Sequence, residues 1–154
     1  MRGVSRFADW LAQTPLSTAI QVNEWVIPTI QSIHIVAIGV VLGSVLMVTL
    51  RILGLAARDQ TLAETNARFG PWLTGALIVL LVTGILMIVG EPARELLALS
   101  FWMKMVLVAF AVAVRPRAPA LAFVTLLVWL CIVVLGRLIA YDHVWGSWSA
   151  ALKG

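Results

Sequence analysis

Two side chains in the first long apolar run of the sequence could do chemistry inside a membrane. Gln31 and His34 stand three residues apart in that run, so on a helix they share one face. A neutral imidazole is a common ligand of haem iron, and its charge changes near neutral pH. Because an ionisable group at membrane depth is costly and usually has a function, His34 is the first candidate for a binding site.

Further polar residues occur at a similar depth in the later apolar runs. His34 lies about 9 Å beyond Pro28 along a helix, and Lys104 lies about 10 Å beyond Leu97. Arg137 lies about 6 Å before the end of the last run. We expect one shared pocket near one membrane face, formed by Gln31, His34, Lys104, Arg137, Tyr141 and His143. Each cation alone is also explained as an anchor that reaches the interface, and His34 as a neutral imidazole bonded to a neighbouring helix.

A b-type haem in the core of a helical bundle is the first occupant that fits this set. His34 would be one iron ligand and His143 the second, while Arg137 or Lys104 would neutralise the propionates. A methionine ligand or a five-coordinate iron are the alternatives, because the chain has only two histidines.

A quinone headgroup is the second possible occupant, since its carbonyls accept hydrogen bonds from His34 and Lys104. Copper is the third, because thioethers suit Cu(I). The sulfur ligands for copper would be Met47, Met87, Met103 and Met105. Methionine in a membrane helix is more often plain packing.

The composition places these residues in a lipid environment. Of the 154 residues, 62% are hydrophobic and 12% are charged, with a mean hydropathy of +1.02. Soluble domains rarely exceed about half apolar residues. The net charge of +4 lies between the apolar runs rather than in a basic patch with stacking aromatics, so we expect no nucleic-acid partner. Cys131 is the only cysteine, which excludes an internal disulfide.

We therefore predict an all-α fold, an integral membrane four-helix bundle that forms one domain over residues 1–154. A crossing needs about 20 apolar residues, and the predicted spans are 27–50, 71–90, 97–115 and 118–141. A short amphipathic helix over 5–13 is expected to lie on the membrane surface, because Phe7, Trp10 and Leu11 recur at helical spacing.

Charge predicts the orientation of these spans. Positive loops stay in the cytoplasm, and the two loops with the arginine excess contain Arg51, Arg58, Arg68, Arg115 and Arg117. The expected location is the bacterial inner membrane with both termini periplasmic. Glu91, Glu95 and Asp142 are expected to be solvated at the other side, or one of them to pair with Lys104. The pair Gly39 and Gly43 favours close packing within the bundle over a dimer contact.

Three stretches of the sequence resemble a family of small bacterial four-helix membrane proteins of unknown function. They are WVIPTIQSIHIVAIGVVLGSVLMVTLRILGL at 25–55, FWMKMVL at 101–107 and GRLIAY at 136–141. The sequence departs from the family pattern at Gln31, where a carboxylate is common, and at Thr49, where Asp is common. The resemblance implies fold and membrane location. A more distant similarity to b-type cytochrome and copper-resistance membrane domains, in which helix histidines hold haem, implies a possible cofactor by analogy.

Two functional hypotheses from different classes follow. The first is a haem-binding electron-transfer module near the periplasmic face, which exchanges electrons with quinone or with a periplasmic redox partner. The second is a non-catalytic membrane subunit of a larger complex or homo-oligomer. The sequence has no Ser-His-Asp set, phosphate loop or paired metal-binding carboxylates, so we do not expect an enzyme by itself.

Overall fold

A computed structural model describes residues 2–114 and 116–140, with side chains for 3–114 and 116–139. All regular secondary structure in this part of the chain is helical. In chain order the helices are α1 Arg2–Ala12, α2 Pro15–Val22, α3 Val26–Ile52, α4 Leu62–Gly90, α5 Pro92–Leu96, α6 Leu99–Ala113 and α7 Pro119–Ala140.

Three of these helices are long and apolar enough to cross a membrane. They are α3 with 27 residues, α4 with 29 residues and the Pro119–Ile139 part of α7 with 21 residues. Helix α6 has 15 residues, or about 22 Å, which is less than the roughly 30 Å of a hydrocarbon core. The all-helical fold is thus confirmed, but within the described residues three helices, not four, are long and apolar enough for a membrane crossing.

Helix α4 begins nine residues before the predicted start at residue 71, and its N-terminus explains why. The Thr61 side chain accepts a hydrogen bond from the Glu64 backbone N–H, and the Glu64 carboxylate accepts one from the Thr61 N–H. This capping box satisfies two N–H groups that would otherwise lack partners. Pro71 therefore lies inside α4 rather than in its first turn, where its missing N–H removes one intrahelical bond.

All four main helices contribute to one apolar core. Helix α3 packs along α4 and α7, and α6 packs along α7. The buried members of this core are Val41, Val45, Ala76, Ala111, Trp129 and Ile132. Near one end of the core, the Thr49 hydroxyl donates to the Ala122 carbonyl at 3.5 Å. This bond joins the end of α3 to the start of α7, so both loops with the arginine excess lie at the same end of the bundle.

The short helices gather at the opposite end. Ala8 of α1 shares a second buried cluster with Leu96, Ala98, Phe101 and Ile139. Phe7 and Trp10 of α1 are exposed, with their ring centroids 5.7 Å apart. Helix α1 thus replaces the surface helix predicted over 5–13, and it packs on the protein with one side while its aromatic side faces outward. Helices α2 and α5 were not predicted from the sequence.

The glycine pair on α3 faces away from the core. Gly39 and Gly43 are exposed, and a Cβ built at either position meets nothing within 4 Å in the described residues. The predicted packing of this pair inside the bundle is therefore wrong.

Candidate functional site

His34 forms a hydrogen bond that joins α3 to α4. Its Nδ1 lies 2.6 Å from Oγ1 of Thr83. The Thr83 hydroxyl also lies 2.6 Å from the carbonyl oxygen of Val79. A carbonyl can only accept and a hydroxyl has one proton. Both contacts are hydrogen bonds only if Thr83 donates to Val79 and accepts from Nδ1–H. Nε2 of His34 then carries the free lone pair.

Lys104 of α6 is the predicted cation whose charge acts on His34. Its side chain is partly buried, its Nζ lies 5.2 Å from the centre of the Phe101 ring, and it is close enough for its charge to act on His34 and on Glu95. Side chains of α3, α5 and α6 therefore lie near one another. We call the region around His34, Thr83, Glu95 and Lys104 the histidine end of the bundle.

Two glycines face these side chains. A Cβ added at Gly84 of α4 would lie 3.9 Å from Cε1 of His34, and one added at Gly136 of α7 would lie 3.8 Å from Cδ of Lys104. Both distances are ordinary van der Waals contacts, so alanine fits at either position. Any longer side chain would occupy the space beside the imidazole or the lysine stem.

Glu95 was not among the predicted site residues. It is expected from the sequence to be solvated unless it pairs with Lys104, but in the structure Glu95 is only 7% exposed. Burial raises the pKa of the Glu95 carboxyl above its usual value, and the charges of Lys104 and Arg94 oppose that rise. Glu91 is different, because its carboxylate pairs with the Arg94 guanidinium at 2.5 Å and both side chains are about one-third exposed.

A second polar group went unnoticed in the sequence. Ser100 lies four residues before Lys104, on the same face of α6. Its Oγ is buried and has no hydrogen-bond partner in the described residues. Serine in an apolar run gives no signal of its own, since many such hydroxyls simply bond to a carbonyl of the same helix. Thr83 was missed for that reason too.

The other residues of the predicted pocket are not all described by the structure. Gln31 lies one turn before His34 on α3 and is partly buried, and Arg137 is exposed in the last turn of α7. Tyr141 and His143 lie outside the described residues. The structure therefore joins His34 and Lys104 within one region but does not test the other members of the predicted set.

The methionines of the copper hypothesis are dispersed. Met103 and Met105 are exposed on α6, on either side of Lys104, while Met47 and Met87 are partly buried on α3 and α4. Among the described residues, no group of three or more His, Cys, Asp or Glu side chains could hold a metal ion. Cys131 is exposed on α7.

An apolar groove runs along α3 and α4 close to the histidine end. Its volume is about 660 Å³, and it is lined by Ser32, Ile33, Val36, Ala37, Val40, Pro71, Trp72, Gly75, Ala76 and Val79. Its lining includes Ser32 and Ile33, which directly precede His34, and Val79, which precedes Thr83 by four residues. The groove therefore reaches the level of the His34–Thr83 bond along α3.

The sequence profile of a family of unknown function, DUF6644, matches residues 9–122. The chain belongs to this family. The matched range includes α3 to α6 and therefore His34, Thr83, Glu95 and Lys104. It ends at the fourth residue of α7, so Gly136 and Arg137 lie outside it. No curated protein and no solved structure matches the chain significantly.

Proposed function

We propose that this DUF6644 protein binds one b-type haem at the histidine end and acts as a membrane electron-transfer module. The observation that carries the proposal is the Nδ1 bond of His34 to Thr83. Ligating histidines nearly always donate their second ring N–H to an acceptor, which fixes the tautomer and the ring orientation. Thr83 is such an acceptor, and it leaves Nε2 for the iron.

The side chains around His34 suit the other needs of a haem. Lys104 supplies a cation for a propionate, and Arg137 at the end of α7 is the second predicted cation. Gly84 and Gly136 keep space open beside His34 and Lys104. A bound haem would supply one-electron redox chemistry, whose potential depends on the axial ligands and their hydrogen bonds. His143 is the predicted second ligand.

The membrane arrangement that we propose has four crossings, with α6 as the short third one. The five residues of α5 and the two that follow would complete its passage through the interface. The end with the arginine excess would face the cytoplasm, and both termini and the histidine end would face the periplasm. Electrons would then pass between the haem and either quinone or a periplasmic redox partner.

Absorption spectra of detergent-purified protein test the haem proposal. A cell culture supplied with a haem precursor should give protein with a Soret band and a b-type pyridine haemochrome at about one haem per chain. His34→Ala should abolish the band, and Thr83→Val should reduce and shift it. Gln13→Ala, in the turn between α1 and α2, is the control that should leave the spectrum unchanged. A colourless wild-type protein, or a band that survives His34→Ala, would refute the proposal.

A second candidate function is a non-catalytic subunit of a larger membrane complex. The observation in its favour is the exposed face of α3 with Gly39 and Gly43, because small residues at this spacing let another helix approach closely. Under this hypothesis the His34–Thr83 bond only stabilises the helix pair. Cross-linking distinguishes the two hypotheses. It compares a cysteine introduced at Val36 with one introduced at Leu130 on the exposed side of α7. Cross-links from residue 36 alone, in protein without haem, would favour the subunit hypothesis.

A further inference from the structure

The end of the bundle away from His34 carries an excess of positive charge, and we call it the arginine end. It comprises the last turn of α3, the loop to α4, the first two turns of α4 and the connection from α6 to α7. The Thr49–Ala122 bond holds the end of α3 beside the start of α7. The charged residues of the arginine end are five arginines, at 51, 58, 68, 115 and 117, and two acids, Asp59 and Glu64. Five positive and two negative charges give a net charge of +3 at this end.

The two acids do not neutralise the arginines. Glu64 is engaged in the capping box with Thr61. In the described residues the only ion pair closer than 4.0 Å joins Arg94 to Glu91, which lie near the histidine end. No carboxylate of the residues that the structure describes therefore lies within 4.0 Å of Arg51 or Arg58, although Asp59 adjoins Arg58 in the sequence.

Backbone carbonyls of the loop between α3 and α4 hold two arginines of the arginine end in fixed positions. Nε of Arg58 donates to the carbonyl oxygen of Gly54, and Nε of Arg51 donates to that of Gln60. Gly54 and Ala57 take left-handed backbone angles, with φ of 69° and 51°, which turn the chain tightly between these bonds. Both bonds use Nε, so the two terminal nitrogens of each guanidinium remain for an outside acceptor.

We propose that the arginine end binds the phosphodiester headgroup of an anionic phospholipid, with Arg51 and Arg58 as its main contacts. Helix ends of this kind lie at the level of the lipid phosphates, and a guanidinium matches a phosphate with two parallel hydrogen bonds. Basic residues beside a membrane span attract anionic lipids. Arg68 and Arg117, both exposed, add to the field around the bound headgroup. This binding does not depend on the haem proposal.

Native mass spectrometry of the full-length protein in detergent tests this inference. The probes are phosphatidylglycerol, the zwitterionic phosphatidylcholine and inorganic phosphate, each titrated into wild-type protein. Phosphatidylglycerol should bind at least tenfold more tightly than phosphatidylcholine. The double variant Arg51→Gln/Arg58→Gln should weaken phosphatidylglycerol binding about 30-fold, the factor expected when two cations are removed from an anionic surface. The variant Arg51→Lys/Arg58→Lys keeps the charge and should lose less.

The matched control is Arg6→Gln/Arg94→Gln, which removes the same charge at the histidine end and should leave phosphatidylglycerol binding within about twofold of wild type. Tryptophan fluorescence and a monodisperse elution profile show whether each variant is folded. If Arg51→Gln/Arg58→Gln does not fold, Arg51→Lys/Arg58→Lys is compared with wild type in its place. Competition by inorganic phosphate at equal concentration would identify free phosphate as the ligand of the same arginines. Equal losses in the two glutamine variants, or none in either, would overturn the proposal.

Discussion

Nδ1 of His34 and Oγ1 of Thr83 are 2.6 Å apart, although the two residues are 49 positions apart in the chain. The bond joins the two longest helices of the protein within an apolar environment. It does so through a hydroxyl that also donates to the backbone of its own helix. The imidazole is therefore held in one tautomer and one orientation by the fold, before any ligand binds.

Thr83→Val should destabilise the protein because it leaves Nδ1 of His34 without its acceptor. Hydrogen bonds between membrane helices contribute about 0.6–2 kcal/mol, and we expect a loss in that range. Equilibrium unfolding in mixed micelles measures it. Thr74→Val, at an exposed position of the same helix, should change the free energy of unfolding by less than about 0.5 kcal/mol. Equal effects of the two substitutions would mean that the bond contributes nothing.

Gly84→Leu should lower haem content while leaving every proposed ligand in place. A Cβ at residue 84 already lies 3.9 Å from His34 Cε1, so the rest of a leucine would fill the space beside the ring. We expect the ratio of Soret to protein absorbance to fall by at least half. Gly75→Leu is the control, because a Cβ there meets nothing within 4 Å. A full haem content in Gly84→Leu would place the haem elsewhere.

Glu95→Gln should flatten the dependence of stability on pH. The folded carboxyl has a pKa above its usual 4.5 because it is buried, so the folded protein holds a proton that the unfolded chain releases first. Stability then falls as the pH rises from about 4.5 through the folded pKa, and is constant above it. The melting temperature, measured from pH 4 to pH 8, should show this decrease in wild type and not in the variant.

The control for that measurement is Glu24→Gln, at an exposed position before α3, which should keep the wild-type slope. A slope that is the same in wild type and in Glu95→Gln would show that another group causes it.

Gly90→Ala should be destabilising by about 1–2 kcal/mol, the usual cost of a modestly overpacked site. The added Cβ would lie 2.5 Å from Cδ1 of Ile27 and 2.9 Å from Cγ2 of Ile20, so both isoleucines must move. Gly39→Ala should be neutral or stabilising by up to about 1 kcal/mol, because alanine favours a helix and has open space there. Thermal unfolding of the two variants in one detergent gives the comparison.

The long helices were predictable because the length of an apolar run is a property of the sequence itself. The start of α4 was not, since Gly70-Pro71 resembles a helix boundary while the true start depends on Thr61 and Glu64 in a polar stretch. The third run was overestimated for a related reason. Its first residues, before Leu99, form part of a turn after α5 rather than a helical turn of α6.

Members of the candidate site could be predicted where the depth of a residue along its helix determines its position in the bundle. Counting residues from the helix starts brings His34 and Lys104 to one level, and in the structure Lys104 is near enough for its charge to act on His34. The partners of these residues were not predictable. Thr83 resembles any other threonine in an apolar helix, and Glu95 follows Gly-Glu-Pro, a sequence typical of an exposed turn. That carboxyl is buried in the fold, where α5 packs against α1, α4 and α6.

The cluster that contains Ala8 and Ile139 also sets an order for biosynthesis. Its members are drawn from α1, the α5–α6 region and α7, so α1 can complete its packing only after helices far along the chain have been synthesised. Until then the exposed Phe7 and Trp10 can hold α1 at the lipid interface, where aromatic side chains are favoured. Deletion of α1 or of the last turn of α7 would each open this cluster, and both shortened proteins should fail at a late step of assembly.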